Sequence, residues 1–313
     1  MTPYPAVVTE RLDELGEFGL IAAVTSGFPP PPEGPGDDAA VVAAPDGRLV
    51  ATTDVLVEGR HFRLDWSAPY DVGRKAAAQN LADVAAMGAR PVALLVGFGA
   101  PPATPSSVGV DVARGVAFEA ASCGASVVGG DVVSAPYVLV SITALGSLDG
   151  RAPVLRSGAR PGDVVVVAGV LGGSAAGLAA LTAGRTELAA AGAHRVPSPP
   201  YADGVALAEA GATAMIDVSD GLAGDLGHVA AASGVRIEVD VAALPVHPAV
   251  AEAAEALGVD PHEWLLGGGE DHALVATLPA PDPRWPVVGR VVEGAGVAFA
   301  GARVEPRSWD HFA

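Results

Sequence analysis

One stretch in the second half of the chain restricts its possible folds more than any other. The apolar run 213–216 predicts a buried strand, and the alanine-rich run that ends at Ser233 predicts a helix. Between them, Asp217, Asp220 and Asp225 bring three carboxylates into nine positions, among glycines that allow the backbone to turn. A strand, an acidic turn and a helix in this order predict an α/β sheet with a ligand site beyond the carboxyl end of the strand.

The acidic turn has a simpler interpretation, in which Asp217 or Asp220 caps the following helix, since aspartate is a preferred N-cap residue. Capping explains one carboxylate but not three, because like charges this close repel each other unless a cation lies between them. The turn is therefore a candidate cation site.

The composition bounds the size of the fold and the class of partner. A chain of 313 residues is long for a single core, so we expect two domains. The net charge is −18, and the only lysine is Lys75, so we expect neither nucleic acid nor a membrane as a partner. The single cysteine, Cys123, excludes an internal disulfide and a cysteine-based zinc site, and we expect it to be a small buried hydrophobe.

Two segments bear on the cellular compartment. The N-terminal residues lack the basic and then apolar pattern of a signal peptide. Residues 164–184 carry no charge and are long enough to span a bilayer, but they contain five glycines. We interpret them as a strand, a turn and a helix, and expect a cytoplasmic protein.

Hydrophobic periodicity and turn residues predict an α/β fold with two domains, 1–150 and 151–313, joined near 149–153. The first domain is expected to hold a small sheet covered by two helices, after an amphipathic helical segment that begins near Leu12. We expect residues 185–200 to be an irregular connection. The predicted strands are 39–43, 49–53, 92–98, 127–131, 137–145, 164–167, 213–216, 235–241, 273–278 and 287–292, and the main helices are 71–87, 108–122, 174–181, 201–210 and 249–257.

The helix predicted over 71–87 carries one acid on an otherwise uncharged stripe. Ala76, Asn80, Asp83 and Met87 share a face at spacings of three and four residues. A solvated face would carry Glu and Lys rather than Ala. Asp83 is therefore a candidate functional residue.

Acids beside glycines recur along the chain and indicate phosphate chemistry assisted by a metal ion. Oxygen ligands of this kind suit Mg²⁺. The chain has neither a Walker loop nor the protein-kinase motifs. The negative charge of a bound nucleotide would therefore have to be balanced by metal ions, by arginine and by the backbone N–H groups of the glycine runs 129–130 and 267–269. A phosphoryl-transfer transition state needs position and charge neutralisation more than covalent chemistry, which fits these residues. A glycosidase, which needs one carboxyl with a raised pKa, stays open on this reasoning.

The acidic motifs, taken together, resemble those of the thiamine-monophosphate kinases, a family in the superfamily of aminoimidazole-ribonucleotide synthetase and selenophosphate synthetase. They occur in order from residue 36 to residue 312. The matching segments are Gly36-Asp-Asp-Ala39, Thr52-Thr-Asp-Val-Leu-Val-Glu-Gly-Arg-His-Phe62, Asn80-Leu-Ala-Asp-Val-Ala-Ala-Met-Gly-Ala89, Gly129-Gly-Asp131, Arg156-Ser-Gly-Ala159, Asp217-Val-Ser-Asp-Gly-Leu222, Gly268-Gly-Glu-Asp271 and Trp309-Asp-His-Phe312.

The resemblance implies a role for individual residues. It implies ATP contacts at Gly130, Asp131, Arg156 and Ser219, and substrate contacts at His61, Glu270 and Trp309. It implies several Mg²⁺ ions, with ligands at Asp38, Thr52, Thr53, Asp54, Asp83, Asp131, Asp217 and Asp220.

The resemblance also implies an activity and an assembly. Members transfer the γ-phosphoryl group of ATP to thiamine monophosphate, which gives thiamine diphosphate and ADP. They are cytoplasmic homodimers in which two N-terminal sheets join into a barrel, and each chain has a second α/β domain. Cys123 stands where some members have a tyrosine near the adenine, and Trp309 stands where others have tyrosine.

Two alternatives remain on the sequence alone. Another ATP-dependent member of the superfamily would use the same ATP and Mg²⁺ residues on a different substrate, although selenophosphate synthetase is disfavoured because no cysteine precedes the first acidic motif. A non-catalytic nucleotide-binding relative is the other, and the intact set of acids argues against it.

Overall fold

The computed structural model describes residues 11–25 and 43–302. The chain divides between Gly150 and Arg151 into two compact units, and the short segment Ala85–Ala89 groups with the second unit. Each unit contains its own sheet, one of four strands and one of six. The fold is therefore α/β in two units.

The first unit is a mixed four-stranded sheet with helices. Its sheet has the order β1-β4-β2-β3, in which β2 and β3 are parallel and the other neighbours are antiparallel. Its elements are α1 (Leu12–Thr25), β1 (Val50–Val57), α2 (Pro69–Ala86), β2 (Arg90–Ala100), α3 (Ser106–Ser122), β3 (Ser126–Ser134) and β4 (Leu139–Ser147).

Two glycines allow α2 and α3 to pack backbone against backbone. A Cβ on Gly73 would lie 2.0 Å from the carbonyl oxygen of Val112, and a Cβ on Gly115 would lie 2.0 Å from that of Tyr70. Contacts this short exclude any side chain at either position. Leu94 and Ile142, on neighbouring strands of the sheet, are fully buried.

The second unit is a six-stranded sheet of order β10-β7-β9-β5-β8-β6 with six helices among its described residues. Only β10 and β7 are parallel, and the other neighbours are antiparallel. Its elements are β5 (Val164–Ala168), α4 (Gly173–Thr182), α5 (Ala190–Arg195), α6 (Tyr201–Glu209), β6 (Ala214–Asp217), α7 (Leu222–Ser233), β7 (Arg236–Asp240), a 3₁₀ turn (Val241–Ala243), α8 (Pro248–Leu257), α9 (Pro261–Gly267), β8 (Leu274–Leu278), β9 (Val287–Val292) and β10 (Gly296–Ala300).

Local sequence signals set several of these boundaries. Helix α8 starts with Pro248 directly after the cap residue His247, and it ends at Gly258, whose φ is +69°. Proline in the first turn and a left-handed glycine after the last are the usual start and stop of a helix. The run 164–184 forms β5, a glycine turn and α4, as predicted.

The structure corrects the predicted element map at four places. The connection 185–200 contains α5, and two further elements, α9 and β10, were not predicted. Strand β3 includes Gly129 and Gly130, as predicted, but it continues to Ser134, three residues beyond the predicted end at Asp131. The predicted strand over 39–43 lies, apart from Ala43, outside the described residues.

None of the helices in the described part of the chain combines the length and the apolar character needed to cross a membrane.

Candidate functional site

In the first unit, two of the predicted metal ligands meet where β1 faces α2. The hydroxyl of Thr52 donates a hydrogen bond of 2.7 Å to the Asp83 carboxylate. A second contact joins the same strand and helix, in which the backbone N–H of Asp54 donates to the side-chain oxygen of Asn80 at 3.0 Å. Asn80 is completely buried and Asp83 is half-buried, so the uncharged stripe of α2 faces the protein rather than solvent. The alternative of a solvated face is therefore wrong.

The neighbouring candidates on this sheet use their side chains differently. The Thr53 hydroxyl donates to the carbonyl oxygen of Ile142 at 2.9 Å and accepts from the Thr143 hydroxyl at 3.2 Å. Asp131 is exposed on β3, and its carboxylate accepts the N–H of Val132 at 2.9 Å. Thr53 points to the strand β4, whereas Thr52 points to the helix α2, as the alternation of a strand requires.

His61 lies in a short loop after β1 that is fixed at two points. Its Nδ1 accepts the backbone N–H of Val57 at 3.0 Å, so in the neutral ring the proton is on Nε2. Its carbonyl oxygen accepts from the ammonium group of the buried Lys75 at 2.9 Å. The ring is thereby oriented with Nε2 as a donor.

In the second unit, the three carboxylates of the acidic turn crowd together at the end of β6. Asp217 and Asp225 are both buried, and the Asp225 carboxylate accepts the backbone N–H of Asp220 at 3.1 Å. Burial, and then the negative charge of Asp217, raise the pKa of Asp225 to about 7. The first helical turn of α7 follows Gly221 and receives no side-chain cap from it, so neither Asp217 nor Asp220 is the cap residue.

The polar groups that face these carboxylates are not those nearest in sequence. His228, on α7, is exposed. Instead, Nδ1 of the buried His272 lies 3.1 Å from the Asp217 carboxylate, and the charge of Arg156 lowers the pKa of Asp225. Arg156 therefore lies within electrostatic range of Asp225, and its predicted role as an ATP contact stays a prediction.

The glycine-rich segment 268–272 packs directly on the acidic turn. The N–H groups of Glu270 and His272 donate to the carbonyl oxygens of Ser219 and Val218, both at 2.8 Å. Glu270 and His272 have φ values of +60° and +53°, a left-handed conformation that is uncommon for residues other than glycine. The predicted substrate contact Glu270 and the predicted ATP contact Ser219 are therefore adjacent.

The glycines of this segment serve close packing within the protein. A Cβ on Gly269 would lie 2.6 Å from the carbonyl oxygen of Ser219, and one on Gly268 would lie 2.3 Å from that of Trp264. The prediction that these glycines present their backbone to a ligand stays a prediction. Their observed contacts are with the acidic turn and with α9.

Asp271 connects the same segment to α4. Its buried carboxylate accepts the N–H groups of Gly172 at 2.5 Å and Ser174 at 2.9 Å, at the N-terminus of α4. Burial raises the pKa of Asp271 to about 7, against the effect of these N–H groups. The residue acts as a helix cap supplied from a distant part of the sequence.

Cys123 differs from the expected small buried hydrophobe. It is half-buried at the C-cap of α3, and its thiol donates to the carbonyl oxygen of Ala120 at 3.3 Å. Burial raises the pKa of this thiol to about 11. The thiol is therefore protonated at neutral pH.

Two predicted site residues, Asp38 and Trp309, lie outside the described residues. The sequence reasoning also missed two histidines that contact the site, His194 and His272. His272 follows Asp271 directly, which was a usable signal, whereas nothing near His194 in the sequence indicates a role.

The donor set fits a hard divalent cation. In the ranges 11–25 and 43–302, no three His, Cys, Asp or Glu side chains are gathered into a ready metal site. Mg²⁺ usually binds through one or two carboxylates together with waters and substrate phosphates, so a complete protein cage is not expected. The candidates offer oxygen atoms only, and the crowded charges of Asp217, Asp220 and Asp225 favour a nearby cation.

Comparisons with known proteins cover most of the chain. The family model described as AIR synthase related protein, N-terminal domain, matches residues 36–148, and that of the C-terminal domain matches residues 160–300. Thiamine-monophosphate kinase of Mycobacterium tuberculosis is 52% identical over 98% of this chain and 93% of that protein.

Solved structures give the same result. Thiamine-monophosphate kinase from Stenotrophomonas maltophilia K279a is 33% identical, with a TM-score of 0.79 over 91% of this chain and 95% of that chain. AaThiL complexed with AMPPCP and TMP is 36% identical, also with a TM-score of 0.79, over 97% of this chain and 99% of that chain. Because sequence and fold agree over nearly the full length, the chain belongs to the thiamine-monophosphate kinase family.

Proposed function

We propose that this chain is an enzyme that transfers the γ-phosphoryl group of ATP directly to thiamine monophosphate, giving thiamine diphosphate and ADP. The observation that carries the proposal is 52% identity to a thiamine-monophosphate kinase over 98% of the chain. The related protein complexed with AMPPCP, an ATP analogue, and TMP supports the same pair of substrates.

The proposed chemistry needs charge neutralisation more than a base. The acceptor oxygen of a phosphate monoester is already ionised near neutral pH, so no strong general base is required. Both reactants are anionic, and Mg²⁺ ions, when bound, would neutralise the charge on their phosphate groups. The chain supplies oxygen ligands for them, which we propose to be Asp38, Thr52, Thr53, Asp54, Asp83, Asp131, Asp217 and Asp220.

We propose that ATP is contacted by Gly130, Asp131, Arg156 and Ser219. Arg156 brings a fixed positive charge, and its effect on Asp225 supports a location beside the acidic turn. Gly130 lies in β3 where a Cβ would be 2.1 Å from the carbonyl oxygen of Val96, so this position cannot carry a side chain beside Asp131.

The other end of the acceptor carries a cationic thiazolium and an aminopyrimidine. We propose that His61, Glu270 and Trp309 contact the acceptor. A glutamate attracts the cationic ring, and an aromatic face such as that of tryptophan stacks on flat cations. The fixed orientation of His61, with Nε2 as a donor, suits a contact to an acceptor atom of the substrate.

We further propose that the first unit forms a homodimer through the open face of its sheet. The strand register puts Val55, Leu95 and Val133 on one face, and these side chains are 47%, 39% and 51% exposed. Two such faces would bury each other and close a barrel. Sedimentation equilibrium at micromolar concentration tests this, and a monomer would contradict it.

The activity is tested with purified protein, ATP, MgCl₂ and thiamine monophosphate, with thiamine diphosphate and ADP both quantified. We expect equal amounts of the two products, no product in EDTA, and recovery on addition of Mg²⁺. ADP release with another phosphorylated acceptor but not with thiamine monophosphate would indicate a different member of the superfamily. ATP binding without ADP release would indicate a non-catalytic relative.

A further inference from the structure

Glu270 is supported by a buried histidine that no sequence motif indicates. Nδ1 of His194, at the end of α5, lies 3.6 Å from a carboxylate oxygen of Glu270. The His194 side chain is 10% exposed and that of Glu270 is 33% exposed. The distance exceeds that of an N–H···O hydrogen bond, so the contact is a longer-range polar one, and it becomes a charge pair when the imidazole is protonated.

The histidine is itself held in place by α4. Its Nδ1 lies 3.0 Å from the hydroxyl of Ser174, and both side chains are buried. The backbone N–H of the same serine donates to Asp271, the residue after Glu270. Ser174 therefore contacts both His194, which faces the Glu270 carboxylate, and Asp271, which follows Glu270 in the sequence.

A glycine allows α5 to come close enough for this arrangement. A Cβ on Gly177 would lie 2.2 Å from the carbonyl oxygen of Ala190 and 2.8 Å from Cβ of His194. Gly177 follows Ser174 by three positions and so shares its helix face. The approach of the two helices brings His194 to Ser174.

The backbone around Glu270 is equally constrained. Its φ of +60° is left-handed, and its N–H is bonded to Ser219. The acidic turn holds the backbone of Glu270 and His194 contacts its side chain, so the carboxylate has little freedom to reorient. Such preorganisation raises affinity for a ligand of matching charge because less entropy is lost on binding.

We propose that His194 is a positioning residue, which orients the Glu270 carboxylate toward the cationic ring of the acceptor substrate and so sets the affinity for that substrate. The inference rests on the proposed function, in which Glu270 contacts thiamine monophosphate. His194 acts through Glu270 and has no contact with ATP in this scheme.

The test compares His194→Ala and His194→Asn with wild type, with KM for each substrate and kcat measured separately. We expect His194→Ala to raise KM for thiamine monophosphate about tenfold, the cost of one oriented charged contact, while KM for ATP and kcat stay within about twofold. Asparagine carries a side-chain amide near the position of Nδ1, so His194→Asn should recover KM to within about threefold of wild type. His228→Ala, at an exposed histidine of the same unit, is the matched control and should change neither constant.

A double-mutant cycle with Glu270→Gln tests whether His194 acts through Glu270. In the Glu270→Gln background, His194→Ala should change KM for thiamine monophosphate by less than about twofold, because the group that it orients is neutral. Additive effects would overturn the proposal, as would an unchanged KM in His194→Ala. A joint rise of both KM values with a lower melting temperature would show a merely structural residue. Wild-type protein that does not phosphorylate thiamine monophosphate would overturn the proposed function itself, and the inference with it.

Discussion

Asp83→Asn separates the catalytic from the structural role of the acid on the otherwise uncharged stripe of α2. Asparagine has the same shape as aspartate, and its side-chain oxygen can still accept the 2.7 Å hydrogen bond from the Thr52 hydroxyl. The neighbouring contact between Asn80 and the backbone of Asp54 does not involve Asp83. We therefore expect the free energy of unfolding to change by less than about 1 kcal/mol, the net value of one neutral hydrogen bond.

The activity should respond far more strongly than the stability. If the Asp83 carboxylate is a Mg²⁺ ligand, the substitution removes one of the negative charges that would hold the metal ion in place to neutralise the phosphates. Losing one preorganised group of this kind costs roughly 10²–10³-fold in kcat. The expected result is thus a folded protein with nearly no turnover.

Circular dichroism with thermal melting, and ADP release over a Mg²⁺ titration, measure both effects on the same preparation. Asp111→Asn is the matched control, because this aspartate pairs with Arg114 on the surface of α3 and should leave kcat unchanged. Near-normal turnover of Asp83→Asn at saturating Mg²⁺ would refute the assignment of Asp83 as a ligand. A large fall in melting temperature would show instead that the Thr52 contact needs the charged carboxylate.

Three further perturbations test other parts of the molecule. Gly177→Ala should lower the melting temperature by about 2–8 °C through overpacking, and raise KM for thiamine monophosphate, whereas Gly192→Ala, where a Cβ meets nothing within 4 Å, should do neither. Native Cys123, whose pKa is raised to about 11, should react with iodoacetamide at pH 8 roughly 10–25-fold more slowly than a solvent-exposed cysteine, and its rate should increase as the pH rises. Rapid labelling that ATP blocks would instead place Cys123 in the nucleotide pocket. Trp309→Ala should raise KM for thiamine monophosphate about tenfold and leave KM for ATP unchanged, and a joint rise with a lower melting temperature would mark a structural tail.

Elements with strong local signals were predictable from the sequence. The helix predicted over 108–122 is α3, Ser106–Ser122, and the strand predicted over 164–167 is β5, Val164–Ala168. Helix α9 had a usable signal that was overlooked, namely Asp260 as a cap before Pro261. Helix α5 had no comparable signal, because its six residues are stabilised by close packing on Gly177 of α4.

The sequence predicted which residues carry the chemistry better than it predicted their contacts. Thr52 and Asp83 are 31 positions apart, and Asp217 and His272 are 55 apart. Such pairs depend on how strands and helices pack, and no local pattern encodes them. For the same reason His194, whose partner is 76 positions away, was found only in the structure.

The single lysine has a consequence for the chemistry of the protein surface. Lys75 is 2% exposed and its ammonium group is bonded to the His61 carbonyl oxygen, so no lysine side chain is open to solvent in the folded first unit. Every exposed basic side chain other than histidine is a guanidinium, which stays charged to beyond about pH 12. Reagents that acylate amines will therefore modify Lys75 only when the first unit opens. Acylation of this one side chain gives a readout of that opening, at the loop that carries His61.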